Sequence, residues 1–327
     1  MGLNMAKDSY IYAVARIRTH ETKLLNHQFM EQLIAAPDED AAMKLLVEHG
    51  WGAPEMSAEQ MLDREKKKTW ELIRELVPDN IDIFDVFLYQ SDYHNLKAAI
   101  KECCTSDIHD GIYEEDGITI DPKEIEKAVA ARDFKALPER MQEPAARAME
   151  TLLKTRDGQL CDIIIDRAAL DAIREAGKAT GSRLLALYGE YVAAMSDVKI
   201  CARAVRTGKD RTFLGNALAD CEHLDVSSLA DSASQGEESF KTYLGSTGFS
   251  AVVDMLSKSP SAFECACDSY LIEQIQPQLH NSFGIDPLAA YILARRMEIK
   301  SVRIILTGKR NDLPDESIRG RVRETYV

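Results

Sequence analysis

Three segments of this chain share one pattern at intervals near a hundred residues. "SDYHNLKAAIKE" begins at Ser91, "SDVKICARAVRTGK" at Ser196 and "MEIKSVRIILTGK" at Met297. Their acids, Asp92, Asp197 and Glu298, stand 105 and 101 residues apart, and each follows an aromatic stretch: "DIFDVFLYQ", "LALYGEYVAAM" and "LAAYILARR". A second element keeps the same register, because Asp63, Asp166 and Asp268 precede those acids by 29, 31 and 30 residues. One match between short apolar helices can arise by chance. Two elements in step through three copies make a repeat. Its length exceeds the roughly 20–50 residues of a solenoid unit. The expected organisation is three similar helical domains in tandem, residues 1–106, 107–216 and 217–327.

The local patterns are those of an all-α chain. Apolar positions at helical spacing run from Ser9 to Leu33. A helix over Asp38–Gly50 follows Pro37 and stops at a glycine, and Ser57 to Gln60 has the Ser-x-x-Gln form of a capping box before another. Leu184–Arg206 and Pro287–Thr307 sustain the helical period longest. The one strand candidate is "GIYEEDGITID", Gly111 to Asp121, readable as a small hairpin or an irregular loop. "CDIIID", Cys161 to Asp166, continues into a helical run and is read as helix.

Charge and composition exclude several function classes. The formal charge of −14 disfavours a primary role on nucleic acid or an anionic lipid surface. The basic run Arg64 to Lys68 has acidic neighbours and reads as a solvated helix face. No apolar stretch approaches the roughly 20 residues needed to span a bilayer, and the N-terminus lacks the features of a secretory signal. The expected location is cytoplasmic, without direct membrane insertion. Seven cysteines with no Cys-x-x-Cys among them read as reduced, partly buried thiols.

"RTGKD", Arg206 to Asp210, and "LTGKR", Leu306 to Arg310, resemble fragments of a phosphate-binding loop. A working loop needs Gly-x-x-x-x-Gly-Lys-Ser/Thr. Here Arg203 and Arg303 replace the first glycine, and Asp210 and Arg310 replace the magnesium-binding hydroxyl. Both are therefore read as glycine-capped helix ends with a lysine at the negative pole of the helix dipole. His20 and His27 are read as sharing a helix face without a third metal ligand. Asp162 and Asp166 share a face four residues apart, with Arg167 and Arg174 near, and Arg16, Arg18 and Glu21 form a similar group. Paired carboxylates can do acid–base work. Their recurrence once per copy instead favours ion pairing that fixes helix packing. No catalytic, cofactor-binding or metal site is expected, and the residues alone describe an acidic, three-part helical scaffold or adaptor.

Three stretches carry a resemblance to a known family: "YIYAVARIRTHETKLL" from Tyr10, "SDYHNLKAAIK" from Ser91, and the run from Phe283 to Val327, "FGIDPLAAYILARRMEIKSVRIILTGKRNDLPDESIRGRVRETYV". "DFKALPERM" at Asp133–Met141 and "DIIIDRA" at Asp162–Ala168 also match. Together they resemble the C subunits of bacterial and archaeal V/A-type rotary ATPases, the counterparts of the eukaryotic V-ATPase d subunit, over essentially the whole chain. The matching positions, all read as structural, are Tyr10, Arg16, Arg18, Glu21, Asp92, Asn95, Lys97, Asp162, Asp166, Asp197, Tyr291, Glu298, Arg303, Gly308, Pro314, Arg319 and Tyr326. The resemblance implies an all-helical funnel of three similar domains with pseudo-threefold symmetry and no active site. It implies a rotor component on the cytoplasmic face of the membrane, between the central-stalk subunits and the proteolipid ring, coupling ATP hydrolysis or synthesis to H⁺ or Na⁺ transport. The alternative is a helical scaffold unrelated to rotary ATPases.

Overall fold

The computed structural model describes residues 10–105 and 111–327, and these residues are helical with no strand among them. In chain order the helices are α1 (Ile11–Glu21), α2 (His27–Ala35), α3 (Glu39–Glu48), α4 (Ala58–Leu76), α5 (Tyr89–Thr105), α6 (Pro122–Ala131), α7 (Glu139–Thr155) and α8 (Gly158–Ala179). They continue with α9 (Arg183–Thr207), α10 (Arg211–Ala217), α11 (Val226–Gln235), α12 (Glu237–Gly245), α13 (Ser250–Lys258), α14 (Pro260–Ile275), α15 (Asp286–Arg310) and α16 (Asp315–Arg319). The candidate strand at Gly111–Asp121 is the irregular loop, and Cys161–Asp166 lies inside α8.

The helix starts repeat as faithfully as the acids do. Asn26, Asp121 and Asp225 each accept a backbone N–H at the start of α2, α6 and α11. Ser57, Asp157 and Ser259 do the same for α4, α8 and α14. Ser57 closes the expected capping box with Gln60. Each cap satisfies an N–H that the helix cannot pair internally and is worth about 1 kcal/mol. Asn26 also corrects the reading of Ser9–Leu33. Its cap starts a new helix, so α1 ends at Glu21 and His20 and His27 sit on different helices.

The chain divides into two compact units. The first joins residues 1–81 to 254–327, and the second is residues 82–253. In the first, α15 packs against α1, α2, α3, α4 and α14. Its core takes Leu33, Leu46, Met61 and Leu62 from the early helices and Val302, Ile305 and Ile318 from the late ones. In the second, α5 packs on α6, α7 and α8, and α9 packs on α8, α10 and α11. Leu96, Ile125, Met141 and Ile165 fill the core around α5.

The tightest helix pair is α8 with α9. A Cβ on Gly177 would lie 2.4 Å from the Leu185 carbonyl oxygen. One on Gly189 would lie 2.9 Å from both Arg174 Cα and the Ile173 carbonyl oxygen. Both obstacles are backbone, so the glycines set the separation of the two helices.

Candidate functional site

Among the described residues no group of three or more His, Cys, Asp or Glu side chains is placed to hold a metal ion. No described helix is long and apolar enough to cross a membrane. The structure instead collects the repeat acids into three joints built on one plan.

In the first joint, Asp92 of α5 is completely buried. Its Oδ1 accepts the Thr119 N–H at 2.8 Å, and its Oδ2 accepts the Thr119 hydroxyl at 2.5 Å and an Arg140 guanidinium N–H at 2.8 Å. Arg140 also lies over the Tyr89 ring at 4.0 Å. Asn95, one turn on, clamps Glu114 from both sides: its amide donates to the Glu114 carbonyl at 2.9 Å and its Oδ1 accepts the Glu114 N–H at 2.8 Å. The irregular loop ahead of α6 is thus held by α5 through its backbone. That explains why it needs no regular structure.

In the second joint, Asp197 of α9, also completely buried, accepts the Ala219 N–H at 3.1 Å. Glu190, two turns earlier, accepts the Glu222 N–H at 2.7 Å and pairs with Lys178 at 2.8 Å. In the third, Glu298 of α15 accepts the Leu25 N–H. Its other oxygen pairs with Arg295, which reaches Glu65 at 2.7 Å and Thr69 at 3.3 Å beneath the Trp51 ring. Burial pushes the Glu298 carboxyl above its usual range, and Arg295 and the Leu25 N–H oppose that rise. Lys68 joins Glu65 at 2.6 Å, so two cations face two carboxylates. Thr119, Ala219 and Leu25 lie in the segments that lead into α6, α11 and α2. Each long helix therefore holds, through a buried acid, the segment that leads into another helix.

The other predicted positions serve packing around these joints. Lys97 bonds Asp166 at 2.7 Å, and Asp162 pairs with Lys101 at 2.7 Å, so lysines of α5 are the carboxylates' partners rather than Arg167 and Arg174. Arg18 bonds Glu21 at 2.6 Å and the Gln278 carbonyl at 2.6 Å, and Arg16 pairs with Glu75 at 3.3 Å. Buried Tyr326 lies against Glu21 and Arg18, with burial pushing its phenol above the usual range. Tyr10 precedes α1 and its carbonyl accepts the Val14 N–H. Arg303 pairs with Glu59 at 3.4 Å, Arg319 with Glu31 at 2.9 Å, and Pro314 opens α16. Tyr291 is buried along a cleft of about 710 Å³ that Arg16, His20 and Arg295 also line. Burial, helped by Lys23 and Arg16, lowers the His20 pKa.

The two Thr-Gly-Lys segments diverge. Gly208 ends α9 in the left-handed conformation, φ 65°, as expected. Gly308 does not cap. It lies within α15, and the left-handed position falls to Asp312, φ 51°, with the Leu313 N–H returning to the Gly308 carbonyl at 2.9 Å. The absent side chain makes room for α16, since a Cβ on Gly308 would meet Ile318 Cγ1 at 2.6 Å. Gly208→Ala is expected to cost about 1–2 kcal/mol through backbone strain, and Gly308→Ala about 1–3 kcal/mol through overpacking. Ile318→Ala, which removes both Cγ1 and Cδ1, should make the added cost of Gly308→Ala smaller and leave that of Gly208→Ala unchanged, as thermal denaturation can show. The lysines are occupied as well: Lys209 bonds Gln159 at 2.7 Å, and buried Lys309 bonds Asp315 at 2.7 Å. Calorimetric titration of the chain with Mg-ATP should register no binding, and Lys209→Ala and Lys309→Ala should not change that.

Arg140, Glu65, Arg295 and Glu190 carry no sequence signal as strong as the repeat. Arg295 and Glu298 could have been found as an i, i+3 pair on one helix. Glu65 and Arg295 lie 230 residues apart, and no local pattern signals such a pair.

Comparison with known proteins places the sequence in a family. The family described as "ATP synthase (C/AC39) subunit" matches residues 13–321. The C subunit of the V-type sodium ATPase of Enterococcus hirae is 23% identical over 321 residues, covering 95% of this chain and 97% of that protein. The C subunit of the A-type ATP synthase of Methanocaldococcus jannaschii is 23% identical over 353 residues, covering 95% of this chain and 85% of that protein. The family match spans nearly every residue, and the chain belongs to the ATP synthase C/AC39 family, the C subunits of V/A-type ATPases.

Proposed function

We propose that this protein is a non-catalytic rotor component on the cytoplasmic face of the membrane. It links the central-stalk subunits to the proteolipid ring and transmits the torque that couples ATP turnover to ion transport. The three tandem copies, residues 1–106, 107–216 and 217–327, belong to the same proposal. The observation that carries it is the set of joints. A coupling that twists must resist shear between its parts, and three buried acids on long helices each bond a backbone N–H in a segment that leads into another helix. Buried hydrogen bonds to charged or polarised groups are stiff and directional, and close-packed helices transmit strain. The acidic surface suits basic patches on its partners.

Removing the protein from the assembled complex tests the reading. ATP hydrolysis by the soluble sector should persist while ATP-driven ion pumping fails. Pumping that survives removal would overturn the proposal. Co-purification of stalk and proteolipid subunits with the tagged chain separates this role from that of a general scaffold.

A further inference from the structure

The second joint differs from the other two. Asp92 has Arg140 on its outer oxygen, and Glu298 has Arg295. Asp197 has no cation bonded to it. Its Oδ1 receives one backbone N–H, and no side-chain or backbone group donates to its Oδ2, although the residue is completely buried. The charged and titratable groups that face it are Arg167 and Asp171 from α8, Asp220 and Cys221 from the segment after α10, and Cys201 on its own helix. Two of these are further acids. The one cation, Arg167, donates to the Gly215 carbonyl at 3.2 Å and lies 3.9 Å from Asp171. A carboxylate in this position would be a buried charge without a counter-ion, which is far costlier than a buried neutral acid.

We propose that the Asp197 joint is a proton-operated latch: Asp197 is a neutral carboxylic acid in the folded chain, and loss of its proton loosens the grip of α9 on residues 218–221. Burial pushes this carboxyl up to about 8, with the Ala219 N–H and Arg167 opposing the rise and Asp171 and Asp220 adding to it. The direction of the linkage follows. The folded chain holds a proton that the unfolded chain releases at the ordinary aspartate value of about 3.9. The joint's contribution is complete below that value, declines as pH rises, and is lost by about pH 8. The other two joints carry arginines that keep their charge throughout the range. Asp197 is the one acid of the three joints without a bonded cation, and the latch acts independently of any role in a rotor.

The experiment compares the full chain with Asp197→Asn, which keeps the acceptor for the Ala219 N–H and mimics the protonated acid. Thermal denaturation should give Tm values that lie closest together at about pH 4 and separate as pH rises, with a clearly higher Tm for the variant at about pH 9. A variant that is less stable than wild type at both values overturns the proposal, because it shows that the negative charge itself was stabilising. Hydrogen exchange at the Ala219 amide in the unaltered chain gives a second measurement that needs no variant. Protection, corrected for the intrinsic rate, should fall about tenfold or more between pH 6 and pH 9. Constant protection over that range also overturns it.

Discussion

Arg295→Met will destabilise the unit formed by residues 1–81 and 254–327 by about 3–5 kcal/mol. The arginine is 6% exposed and stands between Glu65 and Glu298, both equally hidden. Its removal leaves two carboxylates with Lys68 alone. The lost attraction is the smaller part of the cost. The larger part is the desolvation of charges that no longer have partners. Two controls separate these contributions. Arg295→Lys restores charge but cannot reach Glu65, Glu298 and Thr69 from one planar group, so it should recover less than half of the loss. Arg295→Met combined with Glu298→Gln leaves Glu65 paired with Lys68 and keeps an acceptor for the Leu25 N–H, so it should recover more than half, an interaction that a double-mutant cycle reads directly. Urea denaturation followed by tryptophan fluorescence suits the measurement, because Trp51 and Trp70 are the chain's two tryptophans and both lie in this unit. A loss below about 1 kcal/mol, the value of an exposed pair, would show that the cluster is hydrated.

Gly177→Ala and Gly189→Ala will each cost about 2–3 kcal/mol, at the upper end for overpacking. Most small-to-large substitutions press on side chains that can turn away. Here the added methyl meets the Leu185 carbonyl in one case and the Arg174 and Ile173 backbone in the other, at 2.4 and 2.9 Å. The helices themselves must separate, and every contact between α8 and α9 loosens with them. The two costs should therefore not add. Once α9 has moved for the first methyl, room exists for part of the second, and the double variant should lose clearly less than the sum. Circular dichroism under thermal denaturation measures all three variants. Full additivity would mean that the helices accommodate each methyl locally.

Much of this fold was legible because its signals are local. Helical period, the Ser57–Gln60 capping box and the spacing of Asp92, Asp197 and Glu298 need no tertiary information, and each has a counterpart in the structure. The caps at Asn26, Asp121 and Asp225 repeat too, but Asn and Asp accept the same N–H, so the function recurs while the letter changes. The break between α1 and α2 was hidden because apolar spacing carries on through a gap of only five residues. Gly308 misled for a related reason. Its letters match those at Gly208, yet Asp312 provides the left-handed turn and the glycine serves the packing of Ile318. The ion-pair partners were illegible because they depend on which helices meet. Lys97 and Lys101 reach Asp166 and Asp162 across more than sixty residues of chain, while the nearby arginines turn elsewhere.

The bond from Glu298 to the Leu25 backbone has a consequence for how the protein is made. A ribosome delivers residues 10–81 first, but their helices share a core with Val302, Ile305 and Ile318, which emerge last. Residues 82–253 can complete their own core while synthesis is still under way, since all its members are by then available. The early helices must wait through that whole interval with Leu33, Leu46 and Met61 lacking their late partners. During biosynthesis the opening segment is therefore the natural client of chaperones. A message truncated before α15 should yield a folded middle and an unfolded beginning, which limited proteolysis of the nascent product would display.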